Sequence, residues 1–443
     1  MNRQPVTSRN PWLFVPTLYF AEGLPYIIIN TVSVILYKKM GIDNASIAFW
    51  TSWLYLPWVI KMFWGPLVDI YSTKRKWILS TQFVMALCLF SVAYVLNAEG
   101  YFFLSLSAFV IGAFISATHD IATDGFYMLA LDKEKQALFV GIRATFYRLA
   151  MIFGSGLLVY TAGRIETFTG NIPLSWTVVL GVAGLVFVIV ALYHVFVLPL
   201  PAVDSKPRTL LSQGARTARA ELPGVRGKRS LTEATGNVPF LEILISYFRQ
   251  EKIGAIIAFI LLYRLAEAML LKLAPPFLLD LRSAGGLGLS TKQVGVAYGT
   301  VGMICLVVGG ILGGWLISKF GLRKCIWPMA IALNFPDIFY VYMAYAQPDI
   351  GLAYVLVALE QFGYGLGFTA FTVYIMYISK GRYKTSHFAI STGIMALGMM
   401  LPGFISGYLQ QAVGYRMFFV IVCLLTIPGT LTILFIPKEE KRE

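Results

Sequence analysis

The apolar residues of this chain run in long blocks rather than in alternation. Twelve mostly apolar stretches cover 12–37, 45–67, 77–97, 101–131, 136–163, 174–199, 252–280, 291–318, 325–346, 349–378, 385–413 and 416–436. A bilayer crossing takes about 20 such residues as a helix. The pattern therefore predicts an all-α membrane protein with twelve transmembrane helices. A polar segment, 200–251, divides them six and six, giving an N-terminal half (12–199), a linker and a C-terminal half (252–437). The first span is too long for the core of a signal peptide and has no small-residue cleavage site, so it is expected to be retained. The linker begins as a basic, polar stretch suited to contact with anionic lipid, with Arg208, Arg216, Arg219, Arg226, Lys228 and Arg229. Its last part, Pro239–Glu251, sets Phe240, Leu241, Leu244 and Phe248 on one face, the pattern of an interfacial amphipathic helix.

Composition agrees. Of 443 residues, 58% are hydrophobic and only 13% charged, whereas soluble domains run near 45–50% apolar and about 25% charged. A soluble enzyme, a disordered chain and a secreted disulfide scaffold are excluded on that ground. The net charge of +14 would suit a nucleic-acid partner, but its distribution points elsewhere. With the N-terminus on the cytoplasmic side, 25 Lys and Arg fall in cytoplasmic segments and 6 on the opposite side. That is the positive-inside bias, so both termini are expected in the cytoplasm and no nucleic acid is expected as partner. Cys88, Cys305, Cys325 and Cys423 show neither metal-ligand spacing nor a paired framework.

Ionisable residues within spans are costly and mark function. Glu22 (span one), Asp120 (four), Arg148 (five), Arg264 and Glu267 (seven), Asp337 (nine) and Glu360 (ten) fall near mid-membrane. Facing lipid, each would cost about 2.5–3.5 kcal/mol on insertion, so they are expected to face one another or a wet central cavity. Glu22, beside Gly23 and Pro25, is either a carboxyl that binds and releases a proton or the fixed partner of Arg148 or Lys61. Asp120 and Asp124 share one helix face, and either could relay protons; Asp124 could instead pair with Arg143. Glu22, Asp120 and Asp124 are therefore the proton-coupling candidates. His119 is expected to pack or hydrogen-bond. Arg264 and Glu267 are three apart and could neutralise each other. Asp337, after Pro336, could cap a freed backbone N–H. Glu360 stands one turn before Gly363, Gly365 and Gly367, which permit close helix approach. Lys61 and Lys272 could snorkel to the membrane edge. The cations within spans favour an anionic or zwitterionic solute. Lys61, Arg148, Arg264, Glu267 and Glu360 are the substrate-binding candidates. Trp50, Trp53, Trp58 and Trp64 in span two suit interface anchoring and packing, with stacking on a sugar as the alternative.

No phosphate-binding loop, dinucleotide fingerprint or metal-ligand cluster is present. No cofactor, metal or catalytic residue is expected, and neither ATP-driven transport nor catalysis is indicated. Three histidines, His119, His194 and His387, at unrelated depths give a membrane-embedded enzyme no constellation to work with.

The segment after span two reads Gly65-Pro66-Leu67-Val68-Asp69 followed by Lys74-Arg75-Lys76, and that after span eight Gly314-Trp315-Leu316-Ile317-Ser318 followed by Arg323-Lys324. This doubled motif resembles the basic loop of the major facilitator superfamily, and implies that superfamily's two parallel six-helix halves. Asp69, Arg75 and Arg143 are the gating candidates, with Ser318 in the second copy at the place of Asp69. Further stretches narrow the resemblance: Tyr19-Phe20-Ala21-Glu22-Gly23-Leu24-Pro25, Lys61 through Asp69, and Asp120-Ile121-Ala122-Thr123-Asp124-Gly125. Together they resemble the branch that holds the AmpG-type muropeptide permeases and the acetyl-CoA transporters. Tyr263 through Ala268 and Glu360 through Gly367 lean towards AmpG. The resemblance implies proton-coupled import of a large anionic solute, anhydro-muropeptides first, through a monomer in a bacterial inner membrane. Another anion, acetyl-CoA or a siderophore complex, is the alternative within transport. A non-transporting sensor or scaffold on the same fold is the alternative outside it.

Overall fold

A computed structural model describes residues 9–199, 240–379 and 384–437. Arg3, most of the linker, Lys380, Arg382 and the last basic residues lie outside the described residues, as do the side chains of Asp69, Phe240 and Leu241. The described chain is helical almost throughout, and the two halves each supply six spans. Span one is Pro11–Lys39, span two 44–71, span three Lys74–Val95, span four Tyr101–Ala130, span five 133–169 and span six Ile172–Val197. Span seven is Ile253–Leu279, span eight Thr291–Phe320, span nine 322–346 and span ten Ile350–Ile378. One helical run, Lys384–Leu431, contains Gly414 at φ 72°, ψ 169°, and this single non-helical residue separates spans eleven and twelve. Length and apolarity alone mark nine crossings among the described residues. The broken run supplies one more. The last two are span two, diluted by its tryptophans, and span nine, interrupted at Asn334, Pro336 and Asp337.

Helix ends follow local chemistry. Thr73 caps span three by accepting from the Lys76 N–H, and Asp349 caps span ten through the Gly351 and Leu352 N–H groups. The Gly65–Asp69 motif and its second copy belong to helix rather than loop. The helices run through Gly65-Pro66 and through Gly314 without ending, and stop only at Ser72 and at Gly321 with its positive φ of 80°, so spans two and eight extend to Tyr71 and Phe320. The short helix Phe240–Phe248 is present. It docks on span eleven through Tyr247, bonded to Ser391 at 2.9 Å, and Ser246, 2.8 Å from His387, while Phe248 stays half exposed. One side is held by protein and the other is left for the interface.

The three alternating glycines of span ten act as their spacing implies. A Cβ on Gly363 would sit 1.9 Å from the Ala332 carbonyl oxygen, and on Gly367 2.5 Å from Leu333, both on span nine. On Gly365 it would sit 2.2 Å from the Leu306 oxygen of span eight. Span ten is thus clamped between two neighbours at backbone distance. Three spans loosen into π-helical turns: one at Ile28–Val32, five at Phe153–Leu158 and eight at Gly295–Gly302. Span seven breaks at Arg264 (φ −112°, ψ 15°) and span nine tightens to a 3-10 turn at Phe335–Asp337.

Candidate functional site

Gly23 lets span one press against span five, because a Cβ there would lie 2.6 Å from the Tyr147 carbonyl oxygen. Glu22 is thereby carried to the interior, where its Oε2 is buried without a hydrogen-bond partner. Its carboxyl lies at hydrogen-bonding distance from Asp120 of span four. Asp120 accepts from the Lys61 ammonium of span two at 2.5 Å. One turn on, Asp124 accepts from Tyr19 Oη at 2.9 Å and from Arg143 at 3.2 Å. The Arg143 guanidinium lies over the Tyr19 and Tyr127 rings, 5.3 and 5.2 Å from their centroids. Three acids and two bases from spans one, two, four and five therefore form one cluster. Lys61 is committed to Asp120 and does not snorkel. Arg148 is not the partner of Glu22: it turns to span eight, 3.5 Å from the Val307 carbonyl, and packs against Gly310.

A second cluster occupies the other half. Arg264 makes no contact ion pair with Glu267, though it acts on it electrostatically; it donates to Tyr364 Oη at 2.6 Å and lies over the Phe368 ring at 4.8 Å. Glu267 is fully buried and neither of its oxygens has a partner. Asp337 likewise has two unpartnered oxygens, so it caps no backbone N–H. Glu360 accepts from Gln361 and, at 3.4 Å, from Tyr340. Lys272 is buried rather than snorkelling and reaches across the halves to Thr51 Oγ1 at 2.9 Å. Between the clusters, Tyr26 lies beside Tyr55 and packs edge-on against Trp58 at 5.2 Å. The mid-membrane charges thus form two groups joined by an aromatic bridge, rather than one.

His119 is a hydrogen-bonding residue, as expected. A buried chain runs Thr17–His194–Gln82–His119, with steps of 2.8, 3.0 and 3.0 Å, and ties spans one, six, three and four together. With Gln82 placed as it is, its carbonyl oxygen accepts from His194 Nδ1–H and its amide donates to His119 Nε2, which sets the tautomer of each ring.

One group of functional candidates was not read from the sequence. At the face away from the chain ends, Asp280 after span seven accepts from Lys38 at 2.6 Å and from Tyr415 at 2.6 Å. Asn44 donates to Gln410 and Tyr415, each at 2.8 Å, and Gln411 to Asp43 at 2.8 Å. Glu166 pairs with Lys39 at 2.7 Å and accepts from Thr291 at 2.6 Å. These contacts stitch the halves together and close this face. Their signal was available: few cations lie on that side, and two of them, Lys38 and Lys39, are adjacent and share it with Asp280 and Glu166. At the opposite face Arg75 donates to the carbonyls of Val195, in span six, and of Leu198, just after it. The side chain of Asp69, its expected gating companion, lies outside the described residues. A cavity of about 230 Å³ at that face is lined by Arg323, Trp327, Tyr374 and Ile433 among others and holds none of the clustered acids.

The family model described as Major Facilitator Superfamily matches residues 17–333 and again 256–443. The chain belongs to the major facilitator superfamily. It is therefore a membrane transporter and not an enzyme. Among curated relatives, the anhydromuropeptide permease of Escherichia coli is 24% identical over 422 residues, covering 94% of this chain and 78% of the permease. Putative transporter AmpG 4 of Rickettsia conorii is 22% identical over 432 residues, covering 95% and 94%. These relatives set the chain beside the AmpG-type transporters. Among solved structures, the D-xylose-proton symporter aligns with TM-score 0.70 at 12% identity, covering 96% of this chain and 97% of that one. The nucleoside transporter NupG aligns with TM-score 0.69 at 15% identity, covering 97% and 100%. At such identities the structures carry the fold alone.

Proposed function

We propose that this protein is a proton-coupled symporter that imports a large anionic solute, anhydro-muropeptides first, across a bacterial inner membrane. Both termini face the cytoplasm in this reading, so the stitched face is periplasmic. The observation that carries proton coupling is the Glu22–Asp120–Lys61 arrangement. Two carboxyls at hydrogen-bonding distance hold together only with a proton between them, because like charges there repel. One lysine balances the remaining charge. Asp124, paired to Arg143 and Tyr19, is the neighbouring acceptor. The solute is recognised through the half-buried Lys61 and Arg148 and through Arg264, with the aromatic bridge of Tyr26, Tyr55 and Trp58 offering flat faces to sugar rings. The muropeptide assignment rests on the curated relatives, among them one named as an anhydromuropeptide permease.

The test is uptake into proteoliposomes of a labelled N-acetylglucosaminyl-anhydro-muramyl peptide under an imposed proton gradient. Accumulation that an uncoupler abolishes supports the reading. Accumulation indifferent to the uncoupler removes proton coupling. No uptake by folded protein removes the muropeptide and moves the search to acetyl-CoA and ferric siderophores.

A further inference from the structure

The C-terminal half holds three carboxyls that the Glu22–Asp120 cluster does not explain. Glu267 (span seven), Asp337 (span nine) and Glu360 (span ten) are 0%, 1% and 1% exposed. They are near enough to act on one another electrostatically. Four of their six oxygens, both of Glu267 and both of Asp337, lack any hydrogen-bond partner. No ion pair reaches them among the described residues. Of the two cations on span seven, Arg264 is near enough to act on Glu267 electrostatically but makes no ion pair with it and donates to Tyr364, while Lys272 donates to Thr51. The Arg264 Nε, one turn from Glu267, is itself buried and unpartnered. The other titratable groups facing the cluster are phenols and a thiol, which carry no charge at neutral pH: Tyr298 of span eight, Tyr340 of span nine, Tyr364 of span ten and Cys423 of span twelve.

An ionised carboxylate cannot stay buried without a counter-charge or donors; it takes a proton instead. A shared metal ion is not the answer, since among the described residues no three such side chains converge closely enough to hold one. The backbone supports a built site. Glu267 stands just past the break in span seven, and Asp337 lies in the 3-10 turn that interrupts span nine. Interrupted helices are where many secondary transporters place their ion sites.

We propose that Glu267, Asp337 and Glu360 form a second proton-binding site, in the C-terminal half, distinct from the Glu22–Asp120 pair. In the conformation described, closed at the far face, this site is loaded. It discharges when Arg264 leaves Tyr364 and turns back to Glu267, so the guanidinium replaces the proton as the compensating charge. No bond other than the O–H is made or broken. The site deepens the proton-coupled reading above and gives each half its own proton.

The test needs no substrate, so its failure is separable from failure of the muropeptide assignment. Infrared difference spectra of the purified, reconstituted protein, taken between neutral and strongly alkaline pH, report the carbonyl stretch of protonated carboxyls. The expected result is a protonated-carboxyl band in the wild type that shrinks in Glu267→Gln and in Asp337→Asn. The same part of the band should persist in Glu22→Gln. A band of wild-type size in both C-terminal variants would overturn the proposal. If either amide variant fails to fold, Tyr340→Phe, which removes only the hydroxyl that donates to Glu360, supplies the second measurement. It should move the frequency of the band, and an unmoved band would count against the site.

Discussion

Asp280→Asn should open the stitched face. The wild-type carboxylate takes the Lys38 ammonium at 2.6 Å and the Tyr415 hydroxyl at 2.6 Å, with only 14% and 20% of the Lys38 and Asp280 side chains exposed. Two unit charges about 4 Å apart attract by about 4 kcal/mol at an effective dielectric of about 20. Desolvation and side-chain ordering return much of that, leaving about 1–2 kcal/mol for a half-buried pair. Turning a charge-assisted phenol bond into a neutral one loses about 1 kcal/mol more. The closed state should therefore lose about 2–3 kcal/mol relative to the open one, a population shift of roughly 30- to 150-fold. Spin labels at Thr169→Cys and Ser283→Cys, on the two halves at this face, would report it as a longer distance population in a background freed of the four native cysteines. Lys38→Met should give a shift in the same direction, and the double variant less than the sum of the two, because the second substitution removes a charge already unpaired. A distance distribution for Asp280→Asn that superimposes on the wild type would refute the claim that these contacts hold the face shut.

Three further predictions concern packing, the buried polar chain and pH. Gly363→Ala places a Cβ 1.9 Å from the Ala332 carbonyl oxygen; thermal unfolding in detergent should show a loss of about 1–3 kcal/mol, the usual cost of overpacking, and an unchanged melting curve would show that spans nine and ten separate freely. Gln82→Leu leaves both His119 and His194 without their shared partner, so stability should fall by about 1–3 kcal/mol for each orphaned group, read by the same melt. At Asp43, in the loop after span one, burial pushes the carboxyl up, but donation from the Ser46 hydroxyl and N–H, from Gln411 and from the Ala45 N–H outweighs it and holds the group below its ordinary 3.8. The depressed value means that its contribution is present above the ordinary carboxylate value and is lost as pH falls through the lowered one. The Gln411 latch between the halves should therefore weaken only under strongly acid conditions, and a carboxyl-resolved NMR titration of Asp43 should show a midpoint below 3.8; a midpoint at or above that value would contradict the reading.

Much of the architecture was legible because bilayer crossing is a one-dimensional constraint. Twelve apolar blocks became twelve spans, and the gap left between 413 and 416 coincides with the Gly414 break. The span-ten glycines were legible for the same reason, since alternate positions on a helix turn to opposite neighbours. Partner choice was not. Nothing local in the sequence says that Lys61 takes Asp120 rather than Glu22, or that Arg264 prefers Tyr364 to a glutamate three residues away. Those choices depend on which side chains the tertiary packing brings within reach. The contacts at Lys38, Asn44, Asp280 and Tyr415 were missed because charges at span ends are ordinary features of a membrane protein, and only the tertiary structure brings them together across the halves. The Asp337 expectation failed for a related reason. Pro336 does free a backbone group, but the 3-10 turn at Phe335–Asp337 carries the carboxylate into the interior instead.

The claim that the Glu22–Asp120 pair couples solute movement to protons is tested most directly by separating exchange from accumulation. Glu22→Gln and Asp120→Asn would each be reconstituted and assayed twice with the labelled disaccharide peptide, once for counterflow without a proton gradient and once for uptake driven by one. The account predicts counterflow near the wild-type rate with gradient-driven accumulation abolished in both variants. Accumulation at the wild-type level in both would contradict it and remove the pair from the coupling role.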